Sequence, residues 1–389
     1  MHLVFATSIV PHGSPATGYE IANAAIIDAL RRVGVHVTVL GFAWPGKLPS
    51  DPDATVVLGE VDVRTDSASP LQKLAWLAKA VAEGVTFSSV KLRTVARDQV
   101  RNALRSIGHV DGYVLNSVQF AGAFEGLFDD RPTIFVAHNV EHRSAEENAD
   151  AARDLLQKLL YRREARLLES LERRLCEHAR FVFTLAEEDR DALGVGSPGK
   201  STALPLVTPA SAWRASGPRM LSYDAALIGT WTWQPNRIGL DWFLEEVVPL
   251  LPEEFTVAIA GSTPAGLQSR HPGVSFVGRV DDAIGFVRSG RVVPLVSRAG
   301  SGVQLKTIET FELGLPAVAT SRSLRGIGRP PQNCIVADNA VDFADALRSA
   351  ARDAVDVDPT RFRRDQSAAL DRQVMLGLSA MGYREKVSA

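Results

Sequence analysis

The sequence has very little cysteine and no long apolar run. Its 389 residues include only Cys176 and Cys334, too few for a disulfide framework or a cysteine-based zinc cluster. We expect both to be small core residues in a reducing compartment. No stretch approaches the roughly 20 consecutive apolar residues of a membrane-spanning helix. The opening run MHLVFATSIV has no basic segment before it and predicts a strand, not a signal peptide. The expected location is the cytoplasm, either free or at the inner face of the cytoplasmic membrane.

The sequence also has no large excess of positive or negative charge, and several well-known motifs are absent. The formal net charge is −2, so nothing in the overall charge suggests nucleic acid as a partner. No spacing of His, Cys, Asp and Glu fits a zinc or EF-hand site, and no G-x-S-x-G elbow occurs. No metal is therefore predicted. The first turn after a strand, VPHGSPATG, lacks G-x-G-x-x-G, which argues against an NAD-dependent dehydrogenase.

The length and the order of patterns indicate an α/β protein of two domains. A chain of 389 residues exceeds the size at which a single core stops growing. The first forty residues predict a strand at 2–8, a helix at 18–33 and a strand at 35–40. Such continuously apolar strands are typical of a parallel sheet covered on both faces. Further strands are predicted at 55–58, 112–115, 133–137 and 181–185, and a long charged helix at 155–178.

A second alternating series follows a stretch rich in Gly, Ser, Pro and Ala at 194–218, which is the best linker in the chain. The series predicts a helix at 237–250 and strands at 225–228, 255–260, 274–277, 291–296 and 317–319. We therefore predict two doubly wound, Rossmann-like domains over 1–210 and 211–365. A C-terminal helical segment over 366–389 can cross back to the first domain. This architecture predicts a ligand site in a cleft at the carboxyl ends of the strands.

A glycine-rich loop, AGSG at 299–302, lies between a predicted strand and a predicted helix. Glycines let the backbone approach a ligand closely, and a helix N-terminus attracts phosphate. Lys306 adds a positive charge about one turn into the helix, and Glu309 could accept hydrogen bonds from sugar hydroxyls. The alternative is a tight turn that opens a packed helix without any ligand.

Two more clusters follow predicted strands. The stretch GTWTWQPNRIGLDW at 229–242 holds three of the six tryptophans. Trp233 and Trp242 are expected to be packing residues, while Gly229 and Thr230 would lie at a strand end facing the same cleft. The stretch HNVEH at 138–142 puts imidazole, amide and carboxylate groups at another strand end, which is typical of a polar site. It differs from H-E-x-x-H, so a metal site is not favoured.

The region 73–105 is locally basic. It is interpreted either as a solvated helix face or as a surface that docks peripherally on an anionic membrane. Its basic residues are Lys73, Lys79, Lys91, Arg93, Arg97, Arg101 and Arg105.

The segment from about 225 to 321 resembles the family 4 retaining glycosyltransferases, which have the GT-B fold of two Rossmann-like domains facing across a cleft. GTWTWQPNRIGLDWFLEEVVPLLP resembles the tryptophan-containing opening of one branch. VSFVGRVDD resembles the F-x-G-x-V strand and loop, and VVPLVSRAGSGVQLKTIETFELGLPAVATS resembles the segment with G-x-G-x-x-x-K-x-x-E. In the first half, HGSPATGYEIANAAIIDALRRVGVHVTVL, HNVEH and RRLCEHARFVFTLAEEDRDAL also fit, whereas residues 46–108 match only by position.

The resemblance implies transfer of a sugar from a nucleotide-diphosphate sugar to a glycan, glycolipid or lipid-linked acceptor, with retention of anomeric configuration. It implies a role in surface polysaccharide biosynthesis, no cofactor and no essential metal, and UDP or GDP as the nucleotide. Carried over, Glu309 would bind the ribose, and Lys306 would hold the diphosphate with the backbone of Gly300, Ser301 and Gly302. The nucleobase would be bordered by Gly278, Arg279 and Val280. Gly13 would approach the diphosphate from the first domain, and His138, the expected catalytic residue, would lie near the transferred sugar.

The chain departs from the family pattern at Ser301, where many members have a glutamate eight residues before the helix glutamate. An acid acting on the sugar at that position is therefore in doubt. The basic pair that other branches carry after the first C-domain strand is also absent, leaving Lys306 with Arg237 or Arg298. Two alternatives stay open: a sugar-nucleotide epimerase of similar fold, and a non-enzymatic two-domain ligand-binding protein.

Overall fold

The computed structural model describes residues 1–13, 17–65, 68–152, 154–208, 217–353 and 355–383. The chain divides into two compact units. Unit 1 comprises Met1–Leu204 and Ala369–Ala389, and unit 2 comprises Pro205–Ala368. The chain thus passes between the units twice, and the second passage falls within its last helix.

Unit 1 is built on a parallel sheet of seven strands in the order β3-β2-β1-β4-β5-β6-β7. The reversal of strand order beside β1 is the doubly wound arrangement. The strands are β1 (His2–Ile9), β2 (His36–Ala43), β3 (Thr55–Glu60), β4 (Gly112–Asn116), β5 (Thr133–Ala137), β6 (Phe181–Thr184) and β7 (Ser201–Ala203). The helices are α1 (Gly18–Arg32), α2 (Pro70–Ala82), α3 (Phe87–Val90), α4 (Arg97–Ile107), α5 (Val118–Ala123), α6 (Glu141–Ala151), α7 (Leu155–His178) and α8 (Glu188–Ala192).

Unit 2 repeats the plan with six parallel strands in the order β10-β9-β8-β11-β12-β13. The strands are β8 (Tyr223–Thr230), β9 (Val257–Ser262), β10 (Val274–Gly278), β11 (Gly290–Leu295), β12 (Ala317–Ala319) and β13 (Cys334–Val336). The helices are α9 (Gln234–Trp242), α10 (Ala283–Arg288), α11 (Leu305–Glu312), α12 (Ala340–Asp353) and α13 (Pro359–Ala380), the last of which continues into unit 1.

Local sequence explains where the first helix begins. Thr17 caps α1 by accepting a hydrogen bond from the Glu20 backbone N–H, and the Glu20 carboxylate accepts one from the Thr17 N–H at 2.9 Å. This capping box satisfies two backbone donors that a helix start otherwise leaves unpaired. Because β1 ends at Ile9, the loop between β1 and α1 lies at the carboxyl edge of the sheet.

The predicted pattern of two doubly wound α/β domains is confirmed, with two errors in the bounds of its elements. The helix predicted at 237–250 ends at Trp242 and continues as a π-helical turn, Phe243–Val247, and a 3₁₀ turn, Val248–Leu250. Pro249 has no N–H to continue the α-helical hydrogen bonds, which accounts for the change from α-helical to π-helical and 3₁₀ hydrogen bonding. The predicted linker at 194–218 was wrong for Ser201–Ala203, which forms β7, while its residues 209–216 lie outside the described part.

The basic region 73–105 is not a continuous charged face. Lys91 is buried, and its Nζ donates to the Val63 carbonyl at 3.0 Å and to Thr65 Oγ1 at 2.6 Å. Arg93 pairs with Glu83 at 2.6 Å. At least these two charges are neutralised or enclosed within unit 1. No helix in the described ranges is long and apolar enough to cross a membrane.

Candidate functional site

A cavity of about 140 Å³ lies in unit 2 where β8 and β11 end and α11 begins. One wall comes from Ile228 and Trp231, just where β8 gives way to the following loop, and a second comes from Ile284 and Val287 of α10. Gln304, Lys306 and Glu309 line it from α11 and the residue that precedes this helix. The start of the predicted helix therefore borders a cavity that has apolar walls on one side and charged groups on the other. Gly300, Ser301 and Gly302 of the predicted loop are not among the residues that line it.

The glycine-rich loop before α11 is braced by the segment that follows β12. Gly300 has φ = +96°, a conformation that favours glycine. Its carbonyl accepts hydrogen bonds from the Arg322 guanidinium at 3.0 and 2.5 Å. The Ser301 carbonyl accepts one from Arg325 Nε at 2.6 Å. Because the loop carbonyls bind these arginines, the loop is fixed through its acceptors.

Within the described ranges, no side chain caps the N-terminus of α11. Its N-cap is Gln304, whose side chain makes no capping hydrogen bond. An eight-residue helix of this kind presents unpaired backbone N–H groups and the positive end of its dipole. The cavity edge is therefore suited to a phosphate group.

Lys306 places its ammonium group beside this helix start. Its Nζ lies 5.0 Å from the centre of the Trp231 ring, and Trp231 is held in place because its Nε1 donates to the Ala260 carbonyl at 2.8 Å. In the described part of the chain, Lys306 Nζ makes no hydrogen bond or ion pair; its contact is with the indole face. Burial lowers its pKa to about 8, which nearby Glu309 partly opposes. The charge is thus partly desolvated and without an anionic partner at bonding distance.

Glu309 lies three residues further along α11 and lines the same cavity. Its side chain is partly buried, and no described residue donates a hydrogen bond to its carboxylate. Burial raises the pKa of Glu309, Lys306 acts against this, and Glu312 adds to it. An acceptor-only group without donors is suited to bind the hydroxyl groups of a ligand.

Gly229 provides the close approach at the end of β8. A Cβ atom at this position would lie 2.8 Å from the Trp231 ring and 2.9 Å from Lys306 Nζ. Glycine is therefore needed to accommodate the stacked pair. Thr230 is exposed, and its carbonyl accepts a hydrogen bond from Asn236 Nδ2 at 3.1 Å.

The three residues predicted to border the nucleobase, Gly278, Arg279 and Val280, are not among those that line the cavity. Gly278 ends β10 with φ = +77°, and the following Arg279 is exposed. Val280 is partly buried in the turn that leads to Asp282, the N-cap of α10. This turn places α10 against the cavity, so a role of the three residues in binding a base stays a prediction.

The tryptophans are distributed differently from the prediction. Trp242 is buried as expected, but Trp233 is 55% exposed, so the packing prediction for Trp233 was wrong. The buried residue of the loop is Trp231, which sequence reasoning left unassigned. Its position two residues after Gly229 at a strand end is the signal that could have identified it.

The two arginines considered as helpers of Lys306 are engaged elsewhere. Arg237 pairs with Asp241 at 2.5 Å along α9. Arg298 stacks on Trp242 at 4.5 Å and donates to the Asp338 carbonyl at 2.6 Å. Lys306 is therefore the positively charged side chain among these three that lines the cavity.

Unit 1 has a different polar cluster at the carboxyl edge of its sheet. His138 follows β5, and its Nε2 lies 2.9 Å from Asn116 Oδ1 at the end of β4. Its ring centre is 4.8 Å from that of Tyr19. Burial lowers the pKa of His138 to about 4, so the imidazole is neutral at physiological pH. Gly13, in the loop after β1, is exposed with open space around it.

The rest of HNVEH serves mainly to hold α6. The buried Glu172 carboxylate accepts from the backbone N–H groups of Glu141 and His142 at 2.7 and 3.2 Å, and contacts His142 Nδ1 at 2.6 Å. Burial, assisted by the nearby Glu172 charge, raises the pKa of Glu141 to about 7, and a hydrogen bond with Asn139 acts against this rise. Among the residues that the structure describes, no group of three or more His, Cys, Asp or Glu side chains is arranged to hold a metal ion.

The fold of the chain is that of the GT-B glycosyltransferases, with two Rossmann-like units built on parallel sheets. Sucrose-phosphate synthase from Thermosynechococcus elongatus matches with a TM-score of 0.56 and 16% identity, over 98% of this chain and 97% of that one. The catalytic domain of starch synthase IV from Arabidopsis thaliana, bound to ADP and acarbose, matches at 0.58 and 11%, over 98% and 99%. Anabaena HepE, in complex with UDP and glucose, matches at 0.53 and 14%, over 98% and 97%.

Residues 224–353 match the family described as glycosyl transferases group 1. This segment contains both Lys306 and Glu309. No curated protein sequence matches the chain. The group 1 domain in unit 2 and the GT-B fold together support a glycosyltransferase.

Proposed function

We propose that the protein is a retaining glycosyltransferase that takes a sugar from a nucleotide-diphosphate donor bound in the unit 2 cavity. The observation that carries the proposal is the pair of cavity-lining charges on α11. Among the described residues, Lys306 has no anionic partner at bonding distance and the Glu309 carboxylate has no hydrogen-bond donor. A diphosphate would supply the anion for Lys306, and the hydroxyl groups of a ribose would supply the donors for Glu309.

Transfer chemistry suits these groups. Breaking the bond between the sugar and the diphosphate places growing negative charge on the leaving group. The Lys306 ammonium and the open N–H groups of α11 would stabilise this charge more in the transition state than in the ground state. Because the leaving group is already activated, the paired carboxylates of a glycoside hydrolase are not needed. This agrees with Ser301 occupying the position where many family members have an acid.

We propose UDP or GDP as the nucleotide and no essential metal. The HepE structure contains UDP and the starch synthase structure contains ADP. Because these nucleotides differ, the nucleobase that this protein prefers has to be measured. Thermal unfolding of the full chain with UDP-, GDP-, dTDP- and ADP-sugars tests the donor site directly. At least one should raise the melting temperature, because a ligand that binds only the native state stabilises it, and EDTA should not remove the shift. No shift with any of them would refute the proposal.

Retention can be measured without knowing the acceptor. Slow hydrolysis of the donor should release the sugar with the anomeric configuration that it had in the donor, as seen by proton NMR before mutarotation. Release of the opposite anomer would contradict retention. Return of an epimerised nucleotide sugar would favour the epimerase, and binding without any turnover would favour a ligand-binding protein.

We propose a lipid-linked or glycan acceptor bound by unit 1, in surface polysaccharide biosynthesis, and contact of unit 1 with an anionic membrane. Two helices support the contact. Arg163 of α7 donates to the Ala80 carbonyl near the end of α2 at 2.8 Å, which joins the two helices. Segments 70–82 and 155–163 contain lysine and arginine but no acidic residue. They expose Leu71, Leu74, Val81, Leu155, Leu156 and Leu159 by 53–80%.

Sedimentation with vesicles of anionic and of neutral lipid tests this contact. Binding to anionic vesicles should weaken with salt and should fall in a variant with Leu155, Leu156 and Leu159 changed to Ser. The control is Leu376→Ser, which alters a leucine of α13 that is 53% exposed. Equal binding by all three proteins, or no binding to anionic vesicles, would contradict the contact.

A further inference from the structure

A chain of side-chain hydrogen bonds runs from a backbone carbonyl of β1 to His138. Asn23 Nδ2 donates to the Ile9 carbonyl at 3.3 Å. Asn116 Nδ2 donates to Asn23 Oδ1 at 2.6 Å, and Asn116 Oδ1 lies 2.9 Å from His138 Nε2. Asn23 and Asn116 are completely buried, so water does not compete for these bonds.

The first bond fixes the direction of all the others. A backbone carbonyl can only accept, so the atom of Asn23 that faces Ile9 is its amide nitrogen. The oxygen of Asn23 therefore faces Asn116, and Asn116 must donate to it through its own amide nitrogen. The oxygen of Asn116 is then the atom that faces His138, and the proton must be on His138 Nε2. Turning either amide over would bring two acceptors or two donors together.

The surrounding groups reinforce this order. Asn23 Nδ2 also donates to Thr7 Oγ1 at 3.0 Å, and Asn116 Nδ2 contacts Thr7 Oγ1 and the Tyr19 hydroxyl, each at 3.2 Å. The Tyr19 hydroxyl additionally accepts from the Ser8 backbone N–H at 3.1 Å. Both amide nitrogens therefore find acceptors, as buried polar groups generally do.

We propose that Asn23 and Asn116 are positioning residues that hold His138 as its Nε2–H tautomer, leaving Nδ1 as an acceptor for a ligand hydroxyl. Within the described ranges, His138 Nδ1 has no hydrogen-bond partner, and the ring is only partly buried. A lone pair attracts hydroxyl donors and repels phosphate and carboxylate oxygens. The ligand group that His138 recognises is therefore a neutral sugar hydroxyl, and this identification rests on the proposed function.

This assignment changes the role expected of His138. A neutral imidazole whose only N–H bond points into the protein has no proton to give to a leaving group. His138 therefore orients a sugar through Nδ1 instead of acting as a general acid. The two asparagines act on the sugar only through His138.

Long-range proton–nitrogen NMR of ¹⁵N-histidine-labelled full-length protein tests the tautomer at neutral pH without any substrate. The signal of His138, one of eight histidines, is identified by its loss in His138→Gln. The wild type should show a protonated Nε2 and an unprotonated Nδ1. A protonated Nδ1, an imidazolium, or a mixture of tautomers in the wild type would overturn the proposal.

Two variants test whether Asn116 is the cause. Asn116→Leu should give a mixture of tautomers. Asn116→Asp should keep the proton on Nε2 because a carboxylate oxygen also accepts from it, although this variant loses the amide donor that faces Asn23 Oδ1. Asn102→Leu, on the exposed face of α4, is the matched control. An unchanged tautomer in a folded Asn116→Leu protein would refute the role of Asn116. If that variant does not fold, a mixture of tautomers in Asn116→Asp would refute it instead.

Sugar transfer distinguishes this proposal from the proposed function. Under saturating donor, Asn116→Leu should lower turnover by about tenfold, the loss expected for one hydrogen bond, and Asn116→Asp should restore part of it. If the tautomer is as expected but the wild type transfers no sugar, the proposed function fails and the positioning role stands. If the wild type transfers sugar but Asn116→Leu does so at the wild-type rate, the positioning role fails.

Discussion

The two strand-end clusters, one in each unit, use polar groups in opposite ways. At the end of β8 in unit 2, Lys306 and Glu309 are charged groups with a cavity in front of them and no bonded partner among the described residues. At the ends of β4 and β5 in unit 1, Asn116 and His138 are neutral and joined by a hydrogen bond. Both clusters lie at the carboxyl ends of parallel strands, where doubly wound folds bind ligands.

The difference indicates what each cluster is suited to bind. Holding a partly desolvated ammonium without a counter-ion costs folding free energy, and an anionic ligand removes that cost when it binds. A neutral hydrogen-bonded network has no such cost, and it fixes the direction of one acceptor in advance. Unit 2 is therefore suited to the charged diphosphate and unit 1 to a neutral hydroxyl.

The largest effect should come from removing the unit 2 cation. Lys306→Gln should weaken UDP or GDP binding by roughly 10- to 100-fold, since a hydrogen bond to a charged group contributes about 1.5–3 kcal/mol. Isothermal titration calorimetry measures this change. Arg270→Gln, which alters an exposed arginine of the same unit, should bind as the wild type does. Equal affinities for Lys306→Gln and the wild type would show that the diphosphate is bound elsewhere.

The next effect concerns the hydroxyl groups of the ribose. Glu309→Ala should weaken nucleotide binding by about tenfold because the carboxylate accepts from these hydroxyls. The same loss should appear when the wild type binds the 2′,3′-dideoxynucleotide, and the variant should no longer distinguish the two ligands. Glu246→Ala, at an exposed position of the π-helical turn, is the control. A variant that still prefers the ribonucleotide by the wild-type ratio would contradict the assignment.

A pH profile sharpens the comparison further. The free-protein pKa of Lys306 is about 8, and a bound diphosphate should raise it by favouring the ammonium. Affinity should therefore be constant below that pH and fall by up to tenfold per unit as the pH rises above it. Calorimetry of wild type and Lys306→Gln across this range measures the slope. A slope of equal size in the variant would assign the titration to another group.

The smallest expected effect is that of a change in the unit 1 cluster on nucleotide binding in unit 2. Asn116→Leu should leave nucleotide affinity within about a factor of two of the wild-type value, because the described partners of the Asn116 side chain, Thr7 of β1, Tyr19 and Asn23 of α1 and His138 after β5, all belong to unit 1. The measurement is the same calorimetric titration, made on a variant whose folding is first checked by circular dichroism. A loss as large as that of Lys306→Gln would break the division of roles.

Much of the fold could be predicted from the sequence because its elements have strong local patterns. Continuous apolar runs marked β1, β2 and β5, and helical periodicity marked α7 at 155–178, the bounds that the structure gives. The three-residue strand β12 was predicted at 317–319, but the equally short strands β7 and β13 were missed. Strands this short have too few residues for a period, and it is their pairing with a neighbouring strand that defines them.

The candidate sites divide in the same way. Lys306 and Glu309 were found because they lie on one helix face behind a glycine loop, which is a local pattern. Asn116 was missed because its partners Asn23 and His138 are 93 and 22 residues away, and only the sheet brings them together. Trp231 was passed over for Trp233 because a loop sequence does not indicate which side chain points inwards.

The most direct test of the account is the chemical protection of Lys306, the only lysine between residues 205 and 368. Reductive methylation followed by peptide mass spectrometry measures its reactivity with and without a nucleotide-diphosphate sugar, with exposed Lys47 as the internal reference. Saturating donor should slow methylation of Lys306 by about tenfold or more, since an ion-paired ammonium rarely loses its proton, and leave Lys47 unchanged. Equal rates for Lys306 with and without UDP-, GDP-, dTDP- and ADP-sugars would contradict the donor site.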